Sequence, residues 1–229
     1  PFTEQQWRQL VAEVDAAGFD VHVHACGERT ARTALDAIEA AVAANPERDR
    51  RHTIAHLVYV ADPDSGRFAD LGVVAQFSAN WMSADPDTVE NLAARYGRPR
   101  QDLLYRIQDV AQAGGRISLG TDWPAAGYFS TYKPLDSIQI GVTRQLIGEP
   151  GAAVLAPADQ RLSVEQAVHA NTLGAAYQIR MDDRVGSLEA GKLADLIVLD
   201  RNIFDIDPHD IHRAQVQLTM MNGRVVHEV

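Results

Sequence analysis

Helical stretches alternate with short apolar runs along most of the chain. Each apolar run follows a helical segment and ends at polar or turn-forming residues. From these runs we predict four buried strands, over residues 19–25, 53–60, 73–78 and 117–120. Alternation of this kind is typical of parallel α/β units. The predicted fold class is therefore α/β.

Capping signals mark the starts of two helices. Thr3 with Gln6, and Ser163 with Gln166, have the spacing of a capping box, in which a hydroxyl and an amide side chain pair with the first free backbone N–H groups. The first of these helices ends near Gly18, and the second covers residues 164–171. Further helices are predicted over residues 28–44, 68–71, 88–96, 101–113, 135–145 and 173–179.

After residue 181 the apolar runs alternate with turns rather than with helices. Asn222-Gly223 separates two strand-like runs, and Asn-Gly in that position predicts a β-hairpin. We therefore divide the chain into an α/β region, residues 1–180, with about four strand–helix units, and part of a small β domain, residues 181–229. A closed barrel needs eight such units and about 250 residues. We expect either a small open sheet or a barrel whose first half, like the start of the β domain, is absent from this sequence.

Composition and charge narrow the range of partners. The chain has 229 residues, 21 basic and 31 acidic, with a formal net charge of −10. Nucleic-acid binding depends on clustered Lys and Arg, so we expect no nucleic-acid partner. No apolar stretch approaches the roughly 18–20 residues that span a bilayer, and no signal-peptide pattern is present. The single cysteine cannot form an internal disulfide bond. We therefore expect no membrane partner, a cytoplasmic location and a small-molecule substrate. Assembly into a homo-oligomer remains open.

Three polar side chains stand where predicted strands end. His24 closes the first strand, His56 lies in the second and Asp122 follows the fourth. Parallel α/β folds place their sites at the carboxyl ends of strands. Two imidazoles and a carboxylate suit a divalent metal, particularly Zn²⁺, with a position left open for water. We therefore predict a metal site formed by these three residues.

The other histidines have simpler interpretations. His22 shares a strand face with His24, because side chains alternate along a strand. A single histidine near a strand is more often a hydrogen-bonded packing residue, and we expect this of His22 and His52. His22 is not counted as a ligand. Asp122 taken alone could simply cap the segment that follows it, so the metal hypothesis depends on the three residues meeting.

Four motifs follow one another along nearly all of the chain: VHACGER (23–29), IAH (54–56), SLGTDWP (118–124) and GSLEAGKLADLIVLD (186–200). The last two motifs are specific, whereas the isolated histidine motifs are not. With these motifs in this order, the chain resembles the carboxyl-terminal portion of an amidohydrolase-superfamily enzyme, from the YtcJ-like branch that is similar to N-substituted formamide deformylase.

The resemblance implies a fold and a set of ligands. The fold would be the carboxyl-terminal half of a metal-dependent (β/α)₈ TIM-like barrel with the carboxyl-terminal part of a small β-sandwich. His24 and His56 match the metal ligands of the fifth and sixth strands, and Asp122 matches the eighth-strand aspartate, both ligand and catalytic proton shuttle. The implied cofactor is one or two Zn²⁺ ions or another divalent metal. Glu28 replaces the usual Asp after the glycine, and the family's first-strand His-x-His pair and fourth-strand ligand have no counterpart here.

The implied function is hydrolysis of carbon–nitrogen bonds other than peptide bonds, in an amide or formamide-like substrate, by metal-activated water. We expect Trp123, Tyr128, Phe129 and Tyr132, which follow the fourth strand, to line an apolar substrate pocket, with ordinary loop packing as the alternative. Two other functions remain open. The chain could be a non-catalytic fragment or scaffold, or it could belong to another metal-dependent barrel hydrolase, a lactonase or a deaminase.

Overall fold

The strands form two separate sheets in the computed structural model, which describes residues 2–97, 100, 103–125 and 131–229. In this part of the chain, one sheet is parallel with four strands, the other is antiparallel with three, and the strand order in each follows the sequence. The parallel strands are β1 (His22–Ala25), β2 (Thr53–His56), β3 (Val74–Ser78) and β4 (Arg116–Gly120). The antiparallel strands are β5 (Leu196–Leu199), β6 (Val216–Met221) and β7 (Arg224–Glu228). The predicted α/β class, with a parallel sheet, is confirmed.

The helices follow the predicted pattern closely in most places. Both capping boxes are present, with the hydroxyls of Thr3 and Ser163 accepting from the backbone N–H groups of Gln6 and Gln166. A π-helical turn over Asp87–Asn91 interrupts the predicted helix 88–96. The α-helices are α1 (Glu4–Ala16), α2 (Glu28–Ala44), α3 (Arg67–Asp70), α4 (Leu92–Tyr96), α5 (Ile107–Gln112), α6 (Pro134–Thr143), α7 (Val164–Asn171) and α8 (Leu173–Gln178).

Strands β1 and β2 are shorter than predicted, because β1 begins at His22 rather than at residue 19 and β2 ends at His56 rather than at residue 60. The run 53–60 pairs in the sheet only as far as His56, because His56 and Leu57 have positive φ angles of 73° and 46°. A left-handed backbone cannot continue an extended strand. The residues that follow stay buried without joining the parallel sheet, and Tyr59 forms a single antiparallel bridge with Leu104 instead.

The parallel sheet is buried most completely at its two central strands, β2 and β3. Every residue of β2 is buried, and Phe77 in β3 and Leu35 and Ile38 in α2 have no exposed surface. Parallel strands covered by helices on both sides show this near-continuous apolar character. The parallel pairing of β1 to β4 places their carboxyl ends along one edge of the sheet.

Asn222 and Gly223 form the turn between β6 and β7, as the Asn-Gly signal predicts. Their φ angles, 49° and 75°, are both positive, which is the backbone geometry of a type I′ hairpin turn. Several apolar side chains of this sheet are exposed, among them Ile197 and Val226. Among the described helices, none combines the length and the apolar character that crossing a membrane would require.

Gly174 brings α8 into direct contact with β4. A Cβ atom at this position would lie 2.4 Å from the carbonyl oxygen of Ile117, well inside contact distance. We expect Gly174→Ala to lower the free energy of unfolding by about 1–3 kcal/mol, because the helix must move away from the strand. Urea denaturation measures this change. Gly66→Ala is the matched control, because a Cβ atom there meets nothing within 4 Å. Equal losses of unfolding free energy in the two variants would contradict the close packing at Gly174.

Candidate functional site

The strand register brings the predicted site residues to the same edge of the sheet. Ala25 at the end of β1 pairs with His56, which in turn pairs with Phe77 in β3. One step further along, Ser78 pairs with Gly120 at the end of β4. The carboxyl ends of the four strands are thus neighbours in space although they are far apart in the sequence.

His24 and His56 are in contact at this edge. Their ring centroids lie 4.3 Å apart, with the ring planes inclined at 59°. The His24 Nε2 atom lies 3.4 Å from Cys26 Sγ. His22 and His24 are both exposed on the same face of β1, as the strand alternation predicts. The structure therefore brings together two of the three predicted ligands.

The ring of His56 is held on two sides. Its Nδ1 atom lies 2.9 Å from Ser78 Oγ, and the indole of Trp81 stacks on it with a centroid distance of 4.9 Å and nearly parallel planes. The hydrogen bond occupies Nδ1, so a role as metal ligand falls to Nε2. Contacts of this kind fix the orientation of a ligating imidazole.

Asp122 lies in a tight turn just beyond β4, where its carbonyl oxygen accepts from the N–H of Ala125 at 2.7 Å. The negative charge of Asp122 affects the pKa values of two residues near the ends of other strands. Burial lowers the pKa of His56 and the proximity of His24 lowers it further, whereas Asp122 opposes both effects. Burial likewise raises the pKa of Cys26, and Asp122 raises it further. The carboxylate is therefore within electrostatic range of both groups.

Two of the three predicted ligands have a left-handed backbone. The φ angles of His56 and Asp122 are 73° and 55°. Residues other than glycine adopt this region uncommonly, although His and Asp do so more often than most. Backbone outliers of this kind cluster at functional sites, where the surrounding structure supports their cost. Both residues stand at the same edge of the sheet, which agrees with a site there.

The donor types at this edge suit a metal ion. Two imidazoles and a carboxylate are the ligands that catalytic zinc sites use, with a fourth position left to water or substrate. Within the described ranges, however, no group of three or more His, Cys, Asp or Glu side chains is arranged to hold a metal. The donor chemistry fits, His24 and His56 are assembled, and the participation of Asp122 stays a prediction.

Of the four aromatic residues predicted to line a substrate pocket, two are among the described residues. Trp123 and Tyr132 are mostly exposed and meet edge to face, with ring centroids 6.1 Å apart. Tyr128 and Phe129 lie outside the described residues. Lining of a substrate pocket by these side chains therefore stays a prediction.

Ser78 and Trp81 are the residues that sequence reasoning missed. Ser78 is the last residue of β3, and its position at a strand end could have indicated its place beside His56. Trp81 carries no such signal, because its stacking depends on the 3₁₀ turn Ala79–Trp81 that follows β3. By contrast, His52 is a buried packing residue as predicted, and its Nδ1 atom accepts from the N–H of Val21.

Fold and site together define an α/β protein whose candidate site is at the carboxyl edge of a parallel sheet, where such folds bind their ligands. The sequence profile of the amidohydrolase family matches residues 1–227. The chain belongs to the amidohydrolase family. This agrees with the resemblance carried by the sequence motifs.

Several named relatives place the chain near the YtcJ-like branch. Protein LONG AFTER FAR-RED 3 of Arabidopsis thaliana is 33% identical over 92% of this chain and 34% of its own length. N-substituted formamide deformylase of Arthrobacter pascens is 26% identical over 99% of this chain and 40% of its own. The protein of Bacillus subtilis (strain 168) named as the amidohydrolase YtcJ is 25% identical over 96% and 40%. The predicted membership of this branch is confirmed.

A solved structure shows the same fold. The uncharacterized metal-dependent hydrolase from Pyrococcus furiosus superposes with a TM-score of 0.68 at 25% identity, over 89% of this chain and 38% of that one. The chain thus spans about a third to two fifths of the length of the relatives that it matches.

Proposed function

We propose that this chain supplies His24, His56 and Asp122 to the metal centre of an amidohydrolase that cleaves carbon–nitrogen bonds other than peptide bonds. The substrate would be a small amide or formamide-like molecule. The observation that carries the proposal is the contact between His24 and His56 at the carboxyl edge of the sheet, in a chain of the amidohydrolase family. The relatives named as a formamide deformylase and an amidohydrolase support this choice of bond.

The proposal includes a finer account of the fold. Strands β1 to β4, within residues 1–180, form the carboxyl-terminal half of a (β/α)₈ barrel, and residues 181–229 form the carboxyl-terminal part of a small β-sandwich. The consecutive order of four parallel strands and the separate antiparallel sheet support it. The first-strand His-x-His pair and the fourth-strand ligand would then come from polypeptide outside this sequence.

The residues of the chain have distinct chemical tasks in this proposal. One or two Zn²⁺ ions, or another divalent metal, would supply Lewis acidity that polarises an amide carbonyl and makes water acidic enough to lose a proton near neutral pH. His24 and His56 would hold the metal, and Ser78 would keep the His56 ring in its orientation through the contact at Nδ1.

Asp122 would move the proton. Its carboxylate accepts a proton from the water that attacks the carbonyl carbon, and returns that proton to the nitrogen as the carbon–nitrogen bond breaks. The products are a carboxylic acid and an amine, so atoms and charge balance. Transfer of this kind by a positioned carboxylate typically accelerates a reaction by about 10²–10⁴-fold. Trp123 and Tyr132, together with Tyr128 and Phe129, would form an apolar wall for the substituent of the substrate.

A substrate panel tests the proposal and its rivals. Full-length protein loaded with Zn²⁺ should hydrolyse formamides and other small amides, lose this activity on treatment with a chelator, and regain it when Zn²⁺ is returned. Product amine and bound metal are measured in parallel. Faster turnover of lactones or of aminated heterocycles would favour a lactonase or a deaminase instead. Absence of both stoichiometric metal and turnover would favour a non-catalytic scaffold.

A further inference from the structure

A glutamine lies in the middle of the apolar strand β3. Gln76 is half-buried between Ala75 and Phe77, neither of which has any exposed surface. The strand register pairs Ala55 with both His24 and Gln76, so the Gln76 side chain lies on the sheet face that carries His24. A polar side chain in such a position needs hydrogen-bond partners, and those partners show what it does.

Two backbone contacts orient the amide group of Gln76. Nε2 donates to the carbonyl oxygen of Phe77 at 3.0 Å, and Oε1 accepts from the backbone N–H of His56 at 3.3 Å. A carbonyl only accepts and an N–H only donates, so both contacts require the same orientation of the amide. His56 has a left-handed φ of 73°, a conformation that the surrounding structure must hold in place. Gln76 therefore supports the backbone of a predicted metal ligand.

The same amide packs against the end of β4. Gly120 is the last residue of this strand, and a Cβ atom placed on it would lie 2.9 Å from Gln76 Nε2. Apart from the chain neighbours of Gly120, such a Cβ atom would meet only atoms of the Gln76 side chain within 4 Å in the described part of the chain. Asp122 follows two residues later, with a left-handed φ of 55°. One side chain thus contacts His56 and the strand end that leads to Asp122.

We propose that Gln76 is a positioning residue for the metal centre, which holds His56 in register with the turn that carries Asp122. The inference rests on the proposed function and adds a residue that acts through two predicted ligands. Removing a residue that orients metal ligands typically changes metal affinity or activity by about 10–100-fold. Position 120 is glycine for a matching reason, because only a residue without a Cβ atom lets the amide lie this close.

The test is a double-mutant cycle at positions 76 and 120 of the full-length protein, with the dissociation constant for Zn²⁺ measured by competition with a chelator. Gln76→Ala removes the amide and should weaken Zn²⁺ binding by about 10-fold or more. Gly120→Ala should have an effect of similar size, because its methyl group displaces the Gln76 amide from His56. The double variant should bind Zn²⁺ about as well as Gln76→Ala, since the added methyl group then has no amide to displace. Independent effects would instead multiply to about 100-fold.

The absorption spectrum of the Co²⁺-substituted protein separates positioning from a general loss of stability. The visible bands of Co²⁺ depend on the geometry of its ligands, so they should shift in both single variants. Gln160→Ala is the matched control, because Gln160 Oε1 also accepts from backbone N–H groups, those of Gln108 and Asp109 at the start of α5. It should leave both the Zn²⁺ affinity and the Co²⁺ spectrum unchanged.

Gly120→Ala keeps the inference testable even if Gln76→Ala folds poorly. The backbone of Gly120 is not left-handed, and the methyl group displaces only the far end of a flexible side chain, so this variant should fold like the wild type. Unchanged Zn²⁺ affinity in either single variant, or multiplying losses in the double variant, would overturn the role of Gln76 and leave the proposed function intact. Wild-type protein that binds Zn²⁺ but hydrolyses no amide would refute the proposed function instead. Failure of the wild type to bind Zn²⁺ would refute both.

Discussion

Replacing Asp122 by asparagine should lower kcat for amide hydrolysis by about 10²–10⁴-fold in the full-length, Zn²⁺-loaded protein, with most of the metal retained. Asparagine has nearly the same size and keeps an oxygen donor for a metal. It cannot accept a proton at neutral pH, so the step that the carboxylate would perform is lost. Steady-state kinetics give the loss of turnover, and elemental analysis of the dialysed protein gives the metal content.

Two further variants make the Asp122→Asn result specific. Asp70→Asn applies the same chemical change to an exposed residue on α3, which leads into the opposite end of β3, and it should leave kcat unchanged. His24→Ala should lower the metal content as well as turnover, because an imidazole ligand is removed. Unchanged turnover in Asp122→Asn would refute its role in proton transfer. Loss of metal together with turnover would show instead that Asp122 is needed to bind the metal.

The second large effect is expected at Asp15, far from the candidate site. Asp15 lies in the last turn of α1, and its carboxylate has no exposed surface. Its neighbours surround it with donors. The carboxylate oxygens accept from Arg48 Nη2 at 2.6 Å, Arg50 Nε at 2.9 Å, Arg50 Nη2 at 3.0 Å and Asn45 Nδ2 at 2.8 Å, and Nε2 of buried His52 lies 3.1 Å away. The carboxylate therefore joins α1 to the segment that leads into β2.

We expect Asp15→Ala to lower the free energy of unfolding by about 3–5 kcal/mol, because removing one partner leaves the mostly buried guanidinium of Arg50 without its counter-charge. Urea denaturation at neutral pH measures the loss. Asp49→Ala is the matched control: its exposed carboxylate pairs with Arg51 and Arg180, and such surface pairs contribute about 1 kcal/mol or less. Losses of equal size in the two variants would contradict the importance of burial at Asp15.

The same carboxylate gives the stability a defined dependence on pH. Burial alone would raise the pKa of Asp15, but hydrogen bonds from Arg50, Asn45 and Arg48 outweigh it and hold the pKa well below its usual range. A group whose pKa is lower in the folded state contributes its full stability above the unfolded pKa, here near 3.8, and loses it as the pH falls further. Asp15→Ala should therefore show a shallower loss of stability in acid than the wild type.

Local sequence signals predicted much of the fold because their physical causes are local. The capping boxes at Thr3 and Ser163 and the Asn222-Gly223 hairpin depend on hydrogen bonds and φ angles within a few residues. Helix α2 begins and ends where the sequence pattern predicts, at Glu28 and Ala44. The contact between His24 and His56 could also be anticipated, because the carboxyl ends of neighbouring parallel strands share an edge.

The sequence by itself therefore determined the α/β class, the family and the pair of histidines at one edge of the sheet. Tertiary structure alone decided where β2 ends, since nothing in the apolar run 53–60 signals the left-handed turn at His56 and Leu57. It also decided that Ser78 and Trp81 hold the His56 ring. These features depend on contacts between segments that are distant in the chain, and such contacts exist only after the sheet has formed.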